Sequence, residues 1–236
     1  MRRFESSRPN QRRAVFAPLL ALLLLGATPL PGVGTADGRR PVDPAAAPWN
    51  ALARVQVPGV ARCTAVLIGP RTALTAAHCL FSRHLGRLVP PDMVHVLTRY
   101  AREDFAAHAL AVAYRIAPGQ DVAAVTLAAP IGAATLGFAA LPRPGTAAML
   151  GGYNQDRIEV PEADLACHVL DVGAGLIRHD CAGTHGTSGA PLLVRNGDAT
   201  WAVAGIETRA MVGGRGGIAV AAAALQAWLA GTESAP

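Results

Sequence analysis

Three short segments of the chain contain the side chains that hydrolysis by a serine nucleophile requires. They are LTAAHC with His78, GQDVAAVTL with Asp121 and GTHGTSGAPLL with Ser188. In this chemistry an imidazole removes the proton of a hydroxyl group, and a carboxylate orients the imidazole. We therefore expect His78, Asp121 and Ser188 to converge at one crevice, with the ring within hydrogen-bond reach of the hydroxyl.

The serine segment also offers backbone N–H groups that could bind an oxyanion. Gly186 lies two residues before Ser188, and Gly189 follows it directly. Glycines permit a tight turn that directs the N–H groups of Gly186 and Ser188 into one concavity. The alternative interpretation of this segment is a polar loop that precedes the strand PLLVR.

The histidine and the aspartate lie beside features that would fix their positions. His78 follows two small alanines and precedes Cys79, which could tie the segment to a neighbouring strand. Asp121 follows a Pro-Gly turn and precedes an apolar run, so its carboxylate is predicted to be buried at the start of a strand. An aspartate that only stabilises the turn is the alternative. Asp92 and Asp104 are rival carboxylates, but neither precedes an apolar strand.

The elements that must position these residues are short. Runs such as ARVQV, TAVLIG, MVHVLTRY and PLLVR are separated by turn-forming residues, and several alternate apolar and polar positions. This favours an all-β barrel or sandwich over alternating helices and strands. Only residues 219–231 have the composition of a helix, with Gly231 as its predicted C-cap. The stretch 130–146, rich in glycine and proline, marks the predicted boundary between two halves.

The four cysteines follow the first 36 residues. An even number in an exported chain indicates two disulfides, and three pairings are open. Two local bridges, Cys63–Cys79 and Cys167–Cys181, would each close about 15 residues and contribute about 3 kcal/mol. A rival interpretation is a metal site made of neighbouring cysteines and histidines, Cys167, His168, His179, Cys181 and His185. The spacing of those residues matches no common zinc pattern.

The positive charge of the chain is concentrated at its start. Residues 1–36 hold five of the 21 arginines and one of the 16 acidic residues, which leaves 16 arginines and 15 acids in the remainder. A nearly neutral body lacks a basic surface that follows phosphates, so nucleic acid is not an expected partner. The arginines, the apolar run 19–25 and the small residues before Ala36 predict a signal peptide cleaved after Ala36. An uncleaved membrane anchor is the alternative.

In combination, the three motifs resemble the trypsin-like serine peptidases of the chymotrypsin fold. LTAAHC, DVAAVTL and GTSGAP follow the order of that family's TAAHC, D-I-A-L-L and G-D-S-G-G-P signatures. The resemblance covers residues 40–230. APWNALARV is similar to the family's opening strand, CTAVLIGPRTALTAAHC to its first disulfide hairpin, and WAVAGIET to the strand that pairs with substrate.

The resemblance implies a fold and a domain division. The expected fold is all-β, with two packed six-stranded antiparallel β-barrels and a C-terminal α-helix. The expected division is a signal peptide at 1–36, an N-terminal arm and first barrel at 37–138, and a second barrel with the helix at 139–236. The resemblance also implies the bridge Cys63–Cys79. We predict the bridge Cys167–Cys181 as well.

Roles for the motif residues are implied in the same way. His78 is expected to act as general base, Asp121 as its orienting acid and Ser188 as nucleophile. The amides of Gly186 and Ser188 are the expected oxyanion hole. Thr187 occupies the position where animal trypsins have an aspartate that pairs with a newly freed N-terminus. Activation by that ion pair is therefore not expected, and the bacterial glutamyl endopeptidases, which the chain also resembles, lack this aspartate too. We expect maturation by signal peptidase, without an obligatory propeptide.

The positions of the specificity pocket are also implied, and they hold Ala182, His185, Glu207, Thr208, Arg209 and Ala210. The uncharged Ala182 at the floor excludes the aspartate with which trypsin selects basic residues. Glu207 on the wall could favour a basic residue before the scissile bond, and the alternative is a Glu207 that faces solvent or pairs with Arg209. Thr208 replaces the serine whose hydroxyl supports the family's buried aspartate.

The sequence therefore predicts an exported bacterial serine endopeptidase that forms an acyl-enzyme and requires no cofactor or metal. A peptide or protein substrate would bind across the cleft as an added strand. We expect a secreted or periplasmic monomer without stable membrane association after removal of the leader. A catalytically inactive homologue that acts as a binding or scaffold protein, or an esterase with the same three residues, remains the alternative.

Overall fold

The computed structural model describes residues 30–132 and 134–230. Most of the predicted signal peptide, residues 1–29, and the predicted helix cap Gly231 lie outside the described residues. The described part contains fifteen strands and one α-helix. They are β1 (Arg39–Pro41), β2 (Leu52–Val57), β3 (Ala61–Gly69), β4 (Thr72–Ala76), β5 (Phe81–Ser82), β6 (Arg87–Leu88), β7 (His95–Thr98), β8 (Ala107–Ile116), β9 (Val122–Leu127), β10 (Ala147–Gly152), β11 (Glu162–Gly173), β12 (Leu176–His179), β13 (Pro191–Arg195), β14 (Trp201–Ala210), β15 (Gly217–Ala221) and α1 (Ala222–Ala230).

The first half of the chain forms a closed barrel with the strand order β2-β3-β4-β9-β8-β7, and all pairs are antiparallel. Alternation of side chains across the strands directs one set of apolar residues inward. That set includes Val55, Leu67, Val96 and Val125, which belong to one buried cluster. The short strands β5 and β6 form a separate two-stranded sheet.

The second half forms another barrel of six strands, β10 to β15. Its order is β11-β10-β13-β14-β15-β12, and a further pairing of β11 with β12 closes it. Leu150, Val169, Ile177 and Leu192 fill its interior. The predicted fold, two six-stranded antiparallel barrels with a C-terminal helix, is confirmed.

The two barrels share an apolar interface. A single buried cluster contains Leu52 and Leu74 of the first barrel together with Leu193 and Val203 of the second. Helix α1 contributes the fully buried Leu225 to this cluster. Burial of apolar surface from both barrels in one cluster holds the two barrels together.

Two expectations about the ends of the chain need correction. The predicted domain division placed the N-terminal arm with the first barrel, but β1 pairs with β11 of the second barrel. The helix begins at Ala222 instead of at residue 219, because Ala219 pairs with both Glu207 and Ile177 inside the second barrel. Sheet pairing overrides the helix propensity of alanine there. Within residues 30–132 and 134–230 no helix has the length and apolarity needed to cross a bilayer.

Candidate active site

His78 and Asp121 meet because they flank two paired strands. β4 ends at Ala76 and β9 begins at Val122, and these two residues lie opposite each other in the ladder. His78 is therefore the second residue of the next turn, a 3-10 helix over Ala77–Leu80, and it lies beside the residue that precedes β9. The His78 Nδ1 atom lies 2.7 Å from Asp121 Oδ2, and the His78 amide donates to Oδ1 at 2.8 Å. Two contacts to one carboxylate fix both the ring and its backbone.

The disulfide Cys63–Cys79 anchors the same turn. It joins β3 to the residue that follows His78. A second disulfide joins Cys167 of β11 to Cys181 after β12. Both bridges are local, and they indicate an extracellular or periplasmic protein, because disulfides persist in oxidising compartments.

Asp121 is more exposed than expected. Its side chain is 41% exposed and that of His78 is 43% exposed. Thr208 does not support Asp121 as the corresponding serine supports the family's buried aspartate. Its Oγ1 instead donates a hydrogen bond to the Ile218 carbonyl at 3.2 Å. The ladder between β14 and β15 shifts register between Glu207 and Arg209. This bulge at Thr208 directs the hydroxyl to the neighbouring strand.

The Ser188 turn is formed by glycines in the left-handed region. Gly186 has a φ of +94° and Gly189 a φ of +87°. A Cβ atom on Gly189 would overlap the carbonyl oxygen of Thr64 and lie 2.9 Å from the Ala76 nitrogen. The turn of the second barrel therefore lies directly against the backbone of the first, and only glycine fits there.

Thr64 of β3 holds this turn in place, and the motifs did not single it out. Its hydroxyl donates to the Gly186 carbonyl at 2.9 Å and accepts from the Tyr153 amide at 2.9 Å. Its own amide donates to the Ser188 carbonyl at 2.9 Å. One fully buried residue of the first barrel thus fixes the two carbonyls on either side of Thr187.

The remaining peptide groups of the turn leave two N–H groups free. The His185 carbonyl accepts from the Gln155 amide at 2.6 Å, and the Thr187 carbonyl accepts from the Ala190 amide at 2.8 Å. Among the described residues, the amides of Gly186 and Ser188 have no hydrogen-bond acceptor. With every carbonyl of residues 185–188 bonded elsewhere, these two N–H groups are available to an oxyanion.

A cleft between the barrels brings the histidine and serine motifs together, and Asp121 lies behind the His78 ring. The cleft has a volume of about 800 Å³, and both His78 and Ser188 line it, as do Gly186 and His185. The Ser188 hydroxyl makes no hydrogen bond with the His78 ring in the part of the chain that the structure describes. Such contacts are often long in ligand-free sites and shorten when substrate binds. Asp92 and Asp104, the rival carboxylates, contact no histidine in the described ranges.

Comparison with known proteins gives a family for this arrangement. A family model described as the trypsin-like peptidase domain matches residues 63–206, more than half of the chain. The chain belongs to the trypsin-like peptidase family. It is by that membership a serine endopeptidase, a hydrolase that acts on peptide substrates. The matched residues include all three motifs and the Cys63–Cys79 hairpin.

A solved structure of a Glu endopeptidase in complex with MPD is similar to the trypsin-like peptidase described here. Its TM-score is 0.72 at 20% sequence identity, and the match covers 86% of this chain and 100% of that chain. At this identity the likeness shows a shared fold. The comparison with curated proteins found no match.

Glu207 does not face the pocket of this trypsin-like peptidase as a free charge. Its side chain is 3% exposed, and Oε2 lies 2.7 Å from Nε2 of the fully buried His179. The Cys181 amide donates to His179 Nδ1 at 3.2 Å, so Nε2 carries the ring proton and donates to Glu207. Burial raises the pKa of the Glu207 carboxyl, and His179 acts in the opposite direction. The predicted selection of basic residues by Glu207 thus finds no support, nor does its pairing with Arg209.

The other predicted pocket residues differ in burial and in the element that carries them. Ala182 is buried, and its amide donates to Asp164 Oδ2 at 2.7 Å. His185 lines the cleft beside Ser188. Arg209 is exposed, and Ala210 is half-buried at the end of β14.

The rival metal site loses two of its thiolates, because the sulfurs of Cys167 and Cys181 are joined to each other.

Thr187 replaces an ion pair with a local hydrogen bond. Its hydroxyl donates to the Thr184 carbonyl at 2.6 Å, and the side chain is buried. The position that an aspartate occupies in animal trypsins is therefore satisfied within the turn itself.

Proposed function

We propose that the protein is an exported endopeptidase that cleaves peptide bonds through His78, Asp121 and Ser188 by way of an acyl-enzyme. The observation that carries the proposal is the His78–Asp121 pair beside a cleft that also contains Ser188 and two unpaired amides. The division into 1–36, 37–138 and 139–236 belongs to the same proposal, except that the arm at the start of 37–138 pairs with the second barrel. The monomeric state and the absence of stable membrane association belong to it as well.

The first half of the reaction forms the acyl-enzyme. Ser188 Oγ attacks the scissile carbonyl carbon while His78 Nε2 takes the hydroxyl proton. The carbonyl oxygen becomes an oxyanion, which the amides of Gly186 and Ser188 stabilise. The tetrahedral intermediate collapses when His78 gives the proton to the leaving amine, and Ser188 is left as an ester.

The second half of the reaction releases the acid product. A water molecule gives a proton to His78 and attacks the ester carbon, and the same two amides stabilise the second oxyanion. Collapse returns the proton from His78 to Ser188 Oγ. Throughout, Asp121 Oδ2 accepts from Nδ1, which keeps Nε2 free as the base and stabilises the imidazolium.

Substitution of the three residues tests the proposal. Ser188→Ala should abolish cleavage of denatured casein and labelling by a fluorophosphonate. Asp121→Asn should lower kcat by about 10⁴-fold, because the amide would donate to Nδ1 and place the ring proton on Nε2. Asp104→Asn is the matched control and should retain wild-type kcat, since within the described ranges Asp104 accepts hydrogen bonds only from the Phe105 amide and the Ala101 backbone.

The same assays separate the alternatives. A binding or scaffold protein would show no fluorophosphonate labelling of an intact Ser188. An esterase would hydrolyse esters and be labelled but leave casein uncut. Sequencing the N-terminus of the exported protein tests the predicted cleavage after Ala36, and a mature chain that begins well beyond Val42 would contradict it.

A further inference from the structure

The segment 30–34 of the chain lies inside the second barrel's predicted specificity pocket. The Gly32 amide donates to the Met211 carbonyl at 2.7 Å, and the Gly32 carbonyl accepts from the Gly216 amide at 2.9 Å. The Gly183 amide approaches the same carbonyl at 3.4 Å. Gly32 thus uses both backbone groups to join the loop after β14, as a residue of an added strand would.

The fit between this segment and the pocket walls is tight. A Cβ atom on Gly32 would overlap the Gly183 carbonyl oxygen and lie 2.9 Å from the Ala210 Cβ. Gly183 follows the predicted pocket floor, and Ala210 belongs to the predicted pocket wall. Gly32 has a φ of +76°, and the next residue, Val33, is only 4% exposed. The space between the two walls is filled by backbone.

The chain after the segment 30–34 changes from buried to exposed and back. Thr35, Ala36 and Asp37 are exposed. Arg39 is 5% exposed and donates to Asp37 and Asp156, and β1 pairs with β11. The predicted cleavage point after Ala36 therefore lies in an accessible stretch. It separates the segment 30–34, called the plug below, from β1, which β11 holds in place. A cut there would release the plug without detaching the arm.

We propose that the segment 30–34 closes the substrate pocket of the uncleaved chain and that cleavage after Ala36 opens it. This inference rests on the proposed peptidase function, since the pocket is defined by it. The segment occupies the pocket through backbone hydrogen bonds, and it competes with an extended peptide substrate for the same walls. The leader is thus both an export signal and an intramolecular inhibitor.

Two variants of the full chain, with residues 1–36 retained and verified by intact mass, disrupt the plug in different ways. Gly32→Ala introduces a Cβ atom for which the pocket has no room, and Val33→Asp places a charge in a buried position. Gly86→Ala is the matched control, because Gly86 has a similar φ of +63° and no atom within 4 Å of its Cβ position. Thermal melts compare the folding of all four proteins.

The first measurement is the cleavage rate of fluorescein-labelled denatured casein. Both plug variants should cleave about tenfold faster than the full-length wild type, as expected when about a tenth of the uncleaved chain has an open pocket. Gly86→Ala should match the wild type. Equal rates for the wild type, Gly32→Ala and Val33→Asp would overturn the proposal.

The second measurement does not depend on activity. Hydrogen exchange of the peptide that contains residues 211–216 should be slow in the full-length wild type and fast in Gly32→Ala, because the Gly216 amide loses its acceptor. Equally fast exchange in both proteins would overturn the proposal. A fluorophosphonate that fails to label Ser188 in all four proteins would contradict the peptidase function instead, and the exchange result would still decide whether the plug exists.

Discussion

Thr64 shows that a residue outside every recognised motif can position the site. The histidine, the aspartate and the serine were identified from their local motifs, and His78 does contact Asp121. Thr64 was not identified, because its hydroxyl acts on Gly186, 122 positions later in the chain. Which face of β3 it occupies depends on the strand register, and its partner depends on how the barrels pack. Neither is encoded in a local pattern.

We expect Thr64→Val to impair catalysis more than substrate binding. Valine has the shape of threonine but neither donates to the Gly186 carbonyl nor accepts from the Tyr153 amide. The two oxyanion amides would lose their fixed position, and a misplacement of about 1 Å lowers kcat by about 10²-fold. Steady-state kinetics on casein-derived peptides would show this fall with little change in KM.

Thr64→Ser is the control for this prediction, because it keeps the hydroxyl and should restore most of kcat. A Thr64→Val enzyme with wild-type kcat would show that Thr64 does not position the turn.

At the scale of strands and turns, alternation and turn residues predicted most of the first barrel. The Pro-Gly turn before Asp121 and the apolar run after it do mark the start of β9. The bulge at Thr208 and the pairing of β1 with β11 were not predicted. A bulge arises from the mismatch between two strands, and β1 is a three-residue strand within a proline-broken arm. Both depend on the partner strand and not on the segment itself.

We expect Gly189→Ala to damage both stability and activity. The added methyl group would overlap the Thr64 carbonyl oxygen, and a φ of +87° is strained for alanine. Strain alone costs about 1–3 kcal/mol, and the overlap would separate the Ser188 turn from β3. Urea unfolding and casein cleavage measure the two effects.

Gly145→Ala isolates the strain from the overlap, since Gly145 has a φ of +84° with no atom within 4 Å of its Cβ position. A Gly189→Ala protein that is no less stable than Gly145→Ala would contradict the close contact between the barrels.

At the scale of the whole molecule, the second barrel holds the N-terminal arm through buried charge. Arg39 donates to both carboxylate oxygens of Asp156 at 2.8 Å and also to Asp37. The Arg39 guanidinium lowers the pKa of Asp156 below its ordinary value of 3.8, although burial acts in the opposite direction. Such a long-range pair could not be predicted, because Arg39 and Asp156 each lie in a segment whose composition is that of an ordinary exposed loop.

The stability contributed by this pair should depend on pH. Because the folded-state pKa of Asp156 is lowered, the stabilisation is complete above 3.8 and is lost as the pH falls below that value. Asp156→Asn should be less stable than the wild type from about pH 7 to about pH 5, and the difference in unfolding free energy should shrink below pH 3.8. Urea unfolding at a series of pH values measures it.

Asp92→Asn serves as the comparison, since Asp92 is exposed and forms no ion pair in the described part of the chain. A stability difference for Asp156→Asn that stays constant down to pH 3 would rule out Arg39 as the cause.

The placement of the two disulfides has a consequence for the integrity of the folded enzyme. Each bridge lies within one barrel, so a single stretch of main chain between Leu127 and Ala147 is the sole covalent link between the half that carries the base and the half that carries the nucleophile. One nick in that stretch would yield two fragments that separate in denaturant even under non-reducing conditions. In native buffer the shared apolar interface, the pairing of β1 with β11 and the hydrogen bonds of Thr64 would keep them together, so the enzyme could persist as a non-covalent heterodimer of its own halves.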